Sequence, residues 1–101
     1  MSSLFELGVI HYTHPVIVIV SVSPSFLEYI EFVMGMHLQG HWGDVTEAAS
    51  ALSDFGLLTG TSVSSAYDLV EEFEPLGDAV IIVTDLLLSV TLVSLSTVES
   101  T

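Results

Sequence analysis

The sequence contains no lysine, arginine, cysteine or asparagine. Lysine and arginine together average roughly a tenth of residues, so their joint absence from a chain of this length has odds on the order of one in a hundred thousand. Selection, a strongly biased source or deliberate design lies behind it. Each absence removes a class of function. Holding DNA or RNA phosphates takes ammonium or guanidinium groups that displace counterions, so direct nucleic-acid binding is excluded unless a metal supplies the charge. The same lack opposes adsorption to anionic membranes. Without lysine there is no Schiff-base chemistry, and without cysteine there is no disulfide scaffold and no thiolate. No Lys or Arg salt bridge can form, so the fold must rest on apolar burial and neutral hydrogen bonds.

Against these absences stand 13 Asp and Glu, a formal charge of −13, and an apolar fraction of 50% in 101 residues. That length and that apolar share suit one domain over residues 1–101 with one core. The chain is too apolar for a salt-adapted surface. Carboxylates crowded by like charge predict that lowering the pH from about 7 toward about 5 stabilises the fold. The first residues lack a cationic segment and do not read as a secretory signal, which points to the cytoplasm. Two apolar runs, Pro15 to Val22 and Ala79 to Leu95, invite a membrane reading. The first is too short to span, and the second carries Asp85 at its centre, so no membrane partner is expected.

Leu4 to Tyr12 reads as a strand, and the β-branched Pro15 to Val20 as a second extended segment. Ser23-Pro24 is a helix start, and Phe26, Leu27, Ile30, Val33 and Met34 share one face of a helix predicted from Pro24 to Leu38 and stopped at Gly40. Asp44 with Glu47 three residues on resembles a capping box. It opens a second helix whose apolar stripe is Val45, Ala48, Ala49, Leu52 and Phe55, ending near Gly60. From Thr61 the period becomes two, with Val63, Ser65, Tyr67 and Leu69 facing one way. Glu71, Glu72 and Glu74 fall in an acidic loop, and strands follow at Ala79 to Thr84 and Ser89 to Leu95. This order predicts an α+β fold, an antiparallel sheet of three to four strands with two or three helices packed on one face.

His37 and His41 lie four apart with Asp44 one turn later, a spacing that could ligate zinc if the helix continued past Gly40. Local hydrogen bonding is the competing use of these side chains, and His11 and His14 could complete a site only by folding back. No Gly-x-Ser-x-Gly elbow and no glycine-rich phosphate loop is present, so neither a catalytic set nor a cofactor is expected. Trp42, between the glycines at 40 and 43, reads as an anchor that plugs the helix-helix corner, with a ligand platform as the alternative.

The stretch Met36-His37-Leu38-Gln39-Gly40-His41-Trp42-Gly43-Asp44, then Phe55 with Gly60, Ser65-Ala66-Tyr67, Val80-Ile81-Ile82-Val83-Thr84-Asp85 and Ser89 resembles a family of small proteins of bacterial plasmids and mobile elements. Members read Arg-His, Gly-Asp-Trp-Gly, Gly-x-Arg, Ser-Ala-Tyr, then Trp-Ile-Ile-Thr-Glu and Asp-Arg-Ser, and are sometimes labelled restriction-modification related. Here Met36, Ser62 and Leu88 stand at the arginine positions, and His41 and Leu87 replace acids. The resemblance implies a short helix where Pro15 to Val22 reads as extended, and, if those polar residues carry the family's function, a chain that has kept the fold and lost the function.

Three functions follow as expectations. The first is a non-enzymatic binding module docking on a basic protein surface, with Trp42, Glu71, Glu72 and Glu74 as binding residues. The second is a structural or designed variant that only folds and self-associates, helped by Leu86-Leu87-Leu88 at a turn. The third is a metal-dependent hydrolase using His37, His41 and Asp44.

Overall fold

The computed structural model describes residues 3–70, 72–73 and 77–96. Seven elements follow one another among them: β1 (Val9–Tyr12), α1 (His14–Val22), α2 (Pro24–Leu38), α3 (Glu47–Thr59), β2 (Ser62–Asp68), β3 (Ala79–Asp85) and β4 (Val90–Ser96). The strands form one sheet in the order β1-β4-β3-β2. β2, β3 and β4 pair antiparallel, and β1 joins β4 in parallel, which makes this α+β sheet mixed.

Local chemistry explains most boundaries. The Ser23 hydroxyl accepts the Phe26 amide at 3.3 Å and caps α2, which runs as its periodicity predicts. Phe26, Ile30 and Val33 on its inner face are buried against Tyr67, Val80, Ile82 and Val93 of the sheet. Gly60, at φ +71°, ends α3 in the left-handed conformation.

Three expectations are corrected. Leu4 to Tyr12 is a strand only from Val9, because Gly8 at φ +66° sits so close to β4 that a Cβ there would lie 2.0 Å from the Ser89 carbonyl oxygen. The run Pro15 to Val20 is helical. β-branched residues cost a helix a few tenths of a kcal/mol each, whereas burying one valine gains about 1.5 kcal/mol or more. Val16 is fully buried, Ile19 and Val20 are half-buried against the core, and the proline in the first turn tolerates helix. The third correction concerns α3. It starts at Glu47 rather than near Asp44, with Thr46 accepting the Ala49 amide at 3.1 Å, and its buried residues are Ser53 and Gly56. Leu52 and Phe55 remain 71% and 63% exposed.

That inversion follows from where α3 lies. It does not cover a sheet face but runs along the free edge of β2. The Ser53 hydroxyl accepts the Ser64 amide (3.1 Å) and donates to the Ser64 carbonyl (2.9 Å). A Cβ on Gly56 would stand 1.7 Å from the Ser62 carbonyl oxygen, so only glycine admits this approach. Further along, the Ala66 amide donates to the Trp42 carbonyl, the Asp44 amide donates to the Ala66 carbonyl, and the Asp68 amide donates to Asp44 Oδ2. The β2 edge is thereby closed to further strands. Helices α1 and α2 cover one sheet face, and among the described residues no element covers the other.

Candidate functional site

The inward-facing positions of the sheet are not all apolar. Ser65, Thr84 and Thr91 occupy them, and His37 of α2, also fully buried, meets the first two. Its Nδ1 meets Ser65 Oγ, and its Nε2 lies 2.9 Å from Thr84 Oγ1. Thr84 Oγ1 is 2.8 Å from Thr91 Oγ1, which donates to the Leu7 carbonyl at 2.7 Å. Each hydroxyl has one proton, so the terminal carbonyl fixes the direction of the whole chain. Thr91 donates to Leu7, Thr84 to Thr91, the His37 Nε2 proton to Thr84, and Ser65 to the bare Nδ1. Burial pushes the His37 pKa down to about 4, so the neutral imidazole this pattern needs is the form present near neutral pH. The rings of Phe5 and Trp42 stand edge-on to it, at 5.2 and 5.6 Å between centroids. This serine-histidine pair is sealed from solvent, so no substrate can reach it and it serves the fold.

The His37, His41, Asp44 ligand set does not assemble. Both nitrogens of His37 are used inside the core, His41 is exposed past the helix end, and Asp44 faces the Asp68 amide. His11 lies on β1 and His14 opens α1, both exposed. Among the described residues no group of three His, Cys, Asp or Glu could hold a metal ion.

Trp42 is buried, with its indole N–H donating to Asp54 Oδ1 at 2.9 Å and its ring stacked near Phe5. It ties the loop after α2 to α3 and leaves a shallow cleft of about 600 Å³ bordered by His41, Asp44, Glu47 and Tyr67. The Tyr67 hydroxyl donates to the His41 carbonyl beneath that cleft. Glu72 is exposed and accepts from Ser25 Oγ at 3.3 Å, whereas Glu71 and Glu74 lie outside the described residues.

Compared with family models, curated proteins and solved structures, the chain matches none. Its chemistry therefore has to be read from its own surface. Asp44 and Asp68 meet at the end of β2, where burial first, then these two carboxylates, raise the Tyr29 pKa. Asp78 lines the same shallow hollow as Asp68, so three carboxylates gather at this end of β2. The open sheet face is different: its central residues Ile81, Val83 and Leu92 are apolar, and Leu92 and Val83 keep 43% and 38% of their surface. Among the described residues no helix is long and apolar enough to cross a membrane.

Sequence reasoning missed the working parts of this arrangement. Ser53 and Gly56 look like gaps in an apolar stripe, and Ser65 reads as an ordinary inward position. The signal was there in the polar residues at inward registers, since a buried hydroxyl needs a partner and His37 was the nearest neutral one on the facing helix.

Proposed function

We propose that this chain is a small, non-enzymatic protein-binding module of mobile-element type, which docks on a basic protein surface. The observation that carries the reading is a polar interior sealed from solvent, among the described residues, in a chain with 13 Asp and Glu and no Lys or Arg. A closed interior offers no reaction chamber, and an uncompensated negative field steers the molecule toward cationic partners. The resemblance to mobile-element proteins supports the same reading, because a host nuclease's DNA-binding surface is one such basic face. Asp44, Asp68 and Asp78, gathered at the end of β2, are its proposed contact carboxylates. Dedicated phosphate mimics carry longer rows of acids, so docking here is a local charge match.

The test is titration calorimetry against a panel of basic globular proteins, including restriction endonucleases, at about 50 mM and about 300 mM salt. One-to-one binding that weakens with salt and with Asp44→Asn plus Asp68→Asn is expected. Absence of binding to every member at low salt sinks the reading. A metal-dependent hydrolase is not carried forward, because its three ligands point to different places.

A further inference from the structure

We propose that two copies of this chain associate through the open faces of their sheets. The inference goes beyond docking on a basic partner and uses a different surface. A chain without lysine or arginine can offer a second copy no ammonium or guanidinium side chain to pair its carboxylates, so the two meet closely where carboxylates are few. The open face meets that condition. Ile81, Val83 and Leu92 form its centre between Ala66, Ser64, Ser94 and His11, Val9 lies on the β1 edge, and its carboxylates, Asp68 on β2 and Asp85 on β3, sit at strand ends on the rim. It continues onto α3, where Leu52 and Phe55 border a groove of about 480 Å³ opposite Ser64 and Val83.

Size and shape agree with self-docking. Four strands about 4.8 Å apart and up to seven residues long at about 3.3 Å per residue span about 400 Å² in projection. The flank of α3, at about 1.5 Å per residue and about 10 Å wide, adds about 200 Å². Two copies then bury about 1,200 Å², the lower bound for a specific, stable interface. The face is also lopsided, with α3 beside β2 and, among the described residues, no helix beside β1. A two-fold axis parallel to the strands lays Leu52 and Phe55 of each copy over the β1 flank of the other, so the two flanks complement each other.

This association and docking on a basic protein respond to salt in opposite directions. Raising salt from about 0.1 M to about 1 M shortens the Debye length from about 10 Å to about 3 Å, which quiets repulsion between the acidic rims and strengthens apolar burial. Sedimentation velocity on the full chain tests it. The expected result is a species of twice the chain mass whose share rises with protein concentration and with salt. Leu92→Glu, and independently Val83→Glu, should return the monomer mass with an unchanged circular dichroism spectrum. Phe32→Glu, on the outer side of α2, should leave the dimer intact. A monomer at high concentration in about 1 M salt overturns the proposal, and so does a dimer that survives both sheet substitutions while Phe32→Glu dissolves it. The monomeric Leu92→Glu variant should still bind a basic protein if that separate reading holds, so each can fail alone.

Discussion

His37 Nε2 donates to Thr84 Oγ1 across 2.9 Å, joining the inner face of α2 to the centre of the sheet with no water-accessible path between them. Thr84→Val keeps the shape and improves strand propensity, yet it leaves the buried Nε2 proton without an acceptor and deprives Thr91 Oγ1 of the proton it accepts, while Thr91 keeps its bond to Leu7. Burying unpaired polar groups costs about 1–3 kcal/mol, more than the propensity gain. The urea midpoint should fall accordingly. A midpoint equal to or above that of the parent protein contradicts the network.

The same histidine sets a pH dependence. Its pKa is 6.5 unfolded and about 4 folded, so between those values the unfolded chain binds the extra proton and stability falls with falling pH. The full loss is about 3 kcal/mol, at about 1.4 kcal/mol per pH unit. Charge relief on an acidic chain pushes the other way, so the parent protein responds to their difference. His37→Gln isolates the term. It should be the less stable protein at pH 7, with a gap that narrows by about 3 kcal/mol on descending to pH 4 in parallel denaturant melts. A gap constant with pH overturns it.

Two glycine substitutions should act in opposite directions. Gly56→Ala places a methyl 1.7 Å from the Ser62 carbonyl oxygen and forces α3 off β2, at a cost of about 2 kcal/mol or more despite the better helix former. Gly35→Ala, inside α2, meets nothing within 4 Å and should stabilise by about 0.5–1 kcal/mol. Thermal melts of the pair check both signs.

Ser53→Ala removes the group that satisfies both the amide and the carbonyl of Ser64. A loss of about 1–2 kcal/mol is expected, together with faster hydrogen exchange at the Ser64 amide than at Ala66, whose edge partner, Trp42, is untouched. Equal protection at the two amides would show that α3 does not close this edge.

Much of the fold was legible in the chain. The capped start and glycine stop of α2, the left-handed Gly60, and the alternation of Val63, Ser65 and Tyr67 are local signals, set within a few residues, and the structure keeps them. Where the sequence misled, a distant partner overruled a local preference. The run after Pro15 carries strand propensity, but Val16 gains more by lying under α2 and β4 as helix.

The site was less legible, because its parts are meaningful only in pairs. His37, His41 and Asp44 look like a ligand set along the chain, and the turn at Gly40 sends them apart. Composition alone determined the negative exterior, the need for a neutral hydrogen-bonded interior, and the loss of phosphate-binding chemistry, because those depend on which groups exist. Only the tertiary structure decided that α3 shields an edge instead of a face, leaving Leu52, Phe55 and the outer side of the sheet without a covering element among the described residues. Helical periodicity states which residues share a side, while the surface that side meets depends on strands far along the chain, and close backbone approach at Ser62 selected the small residues over the large.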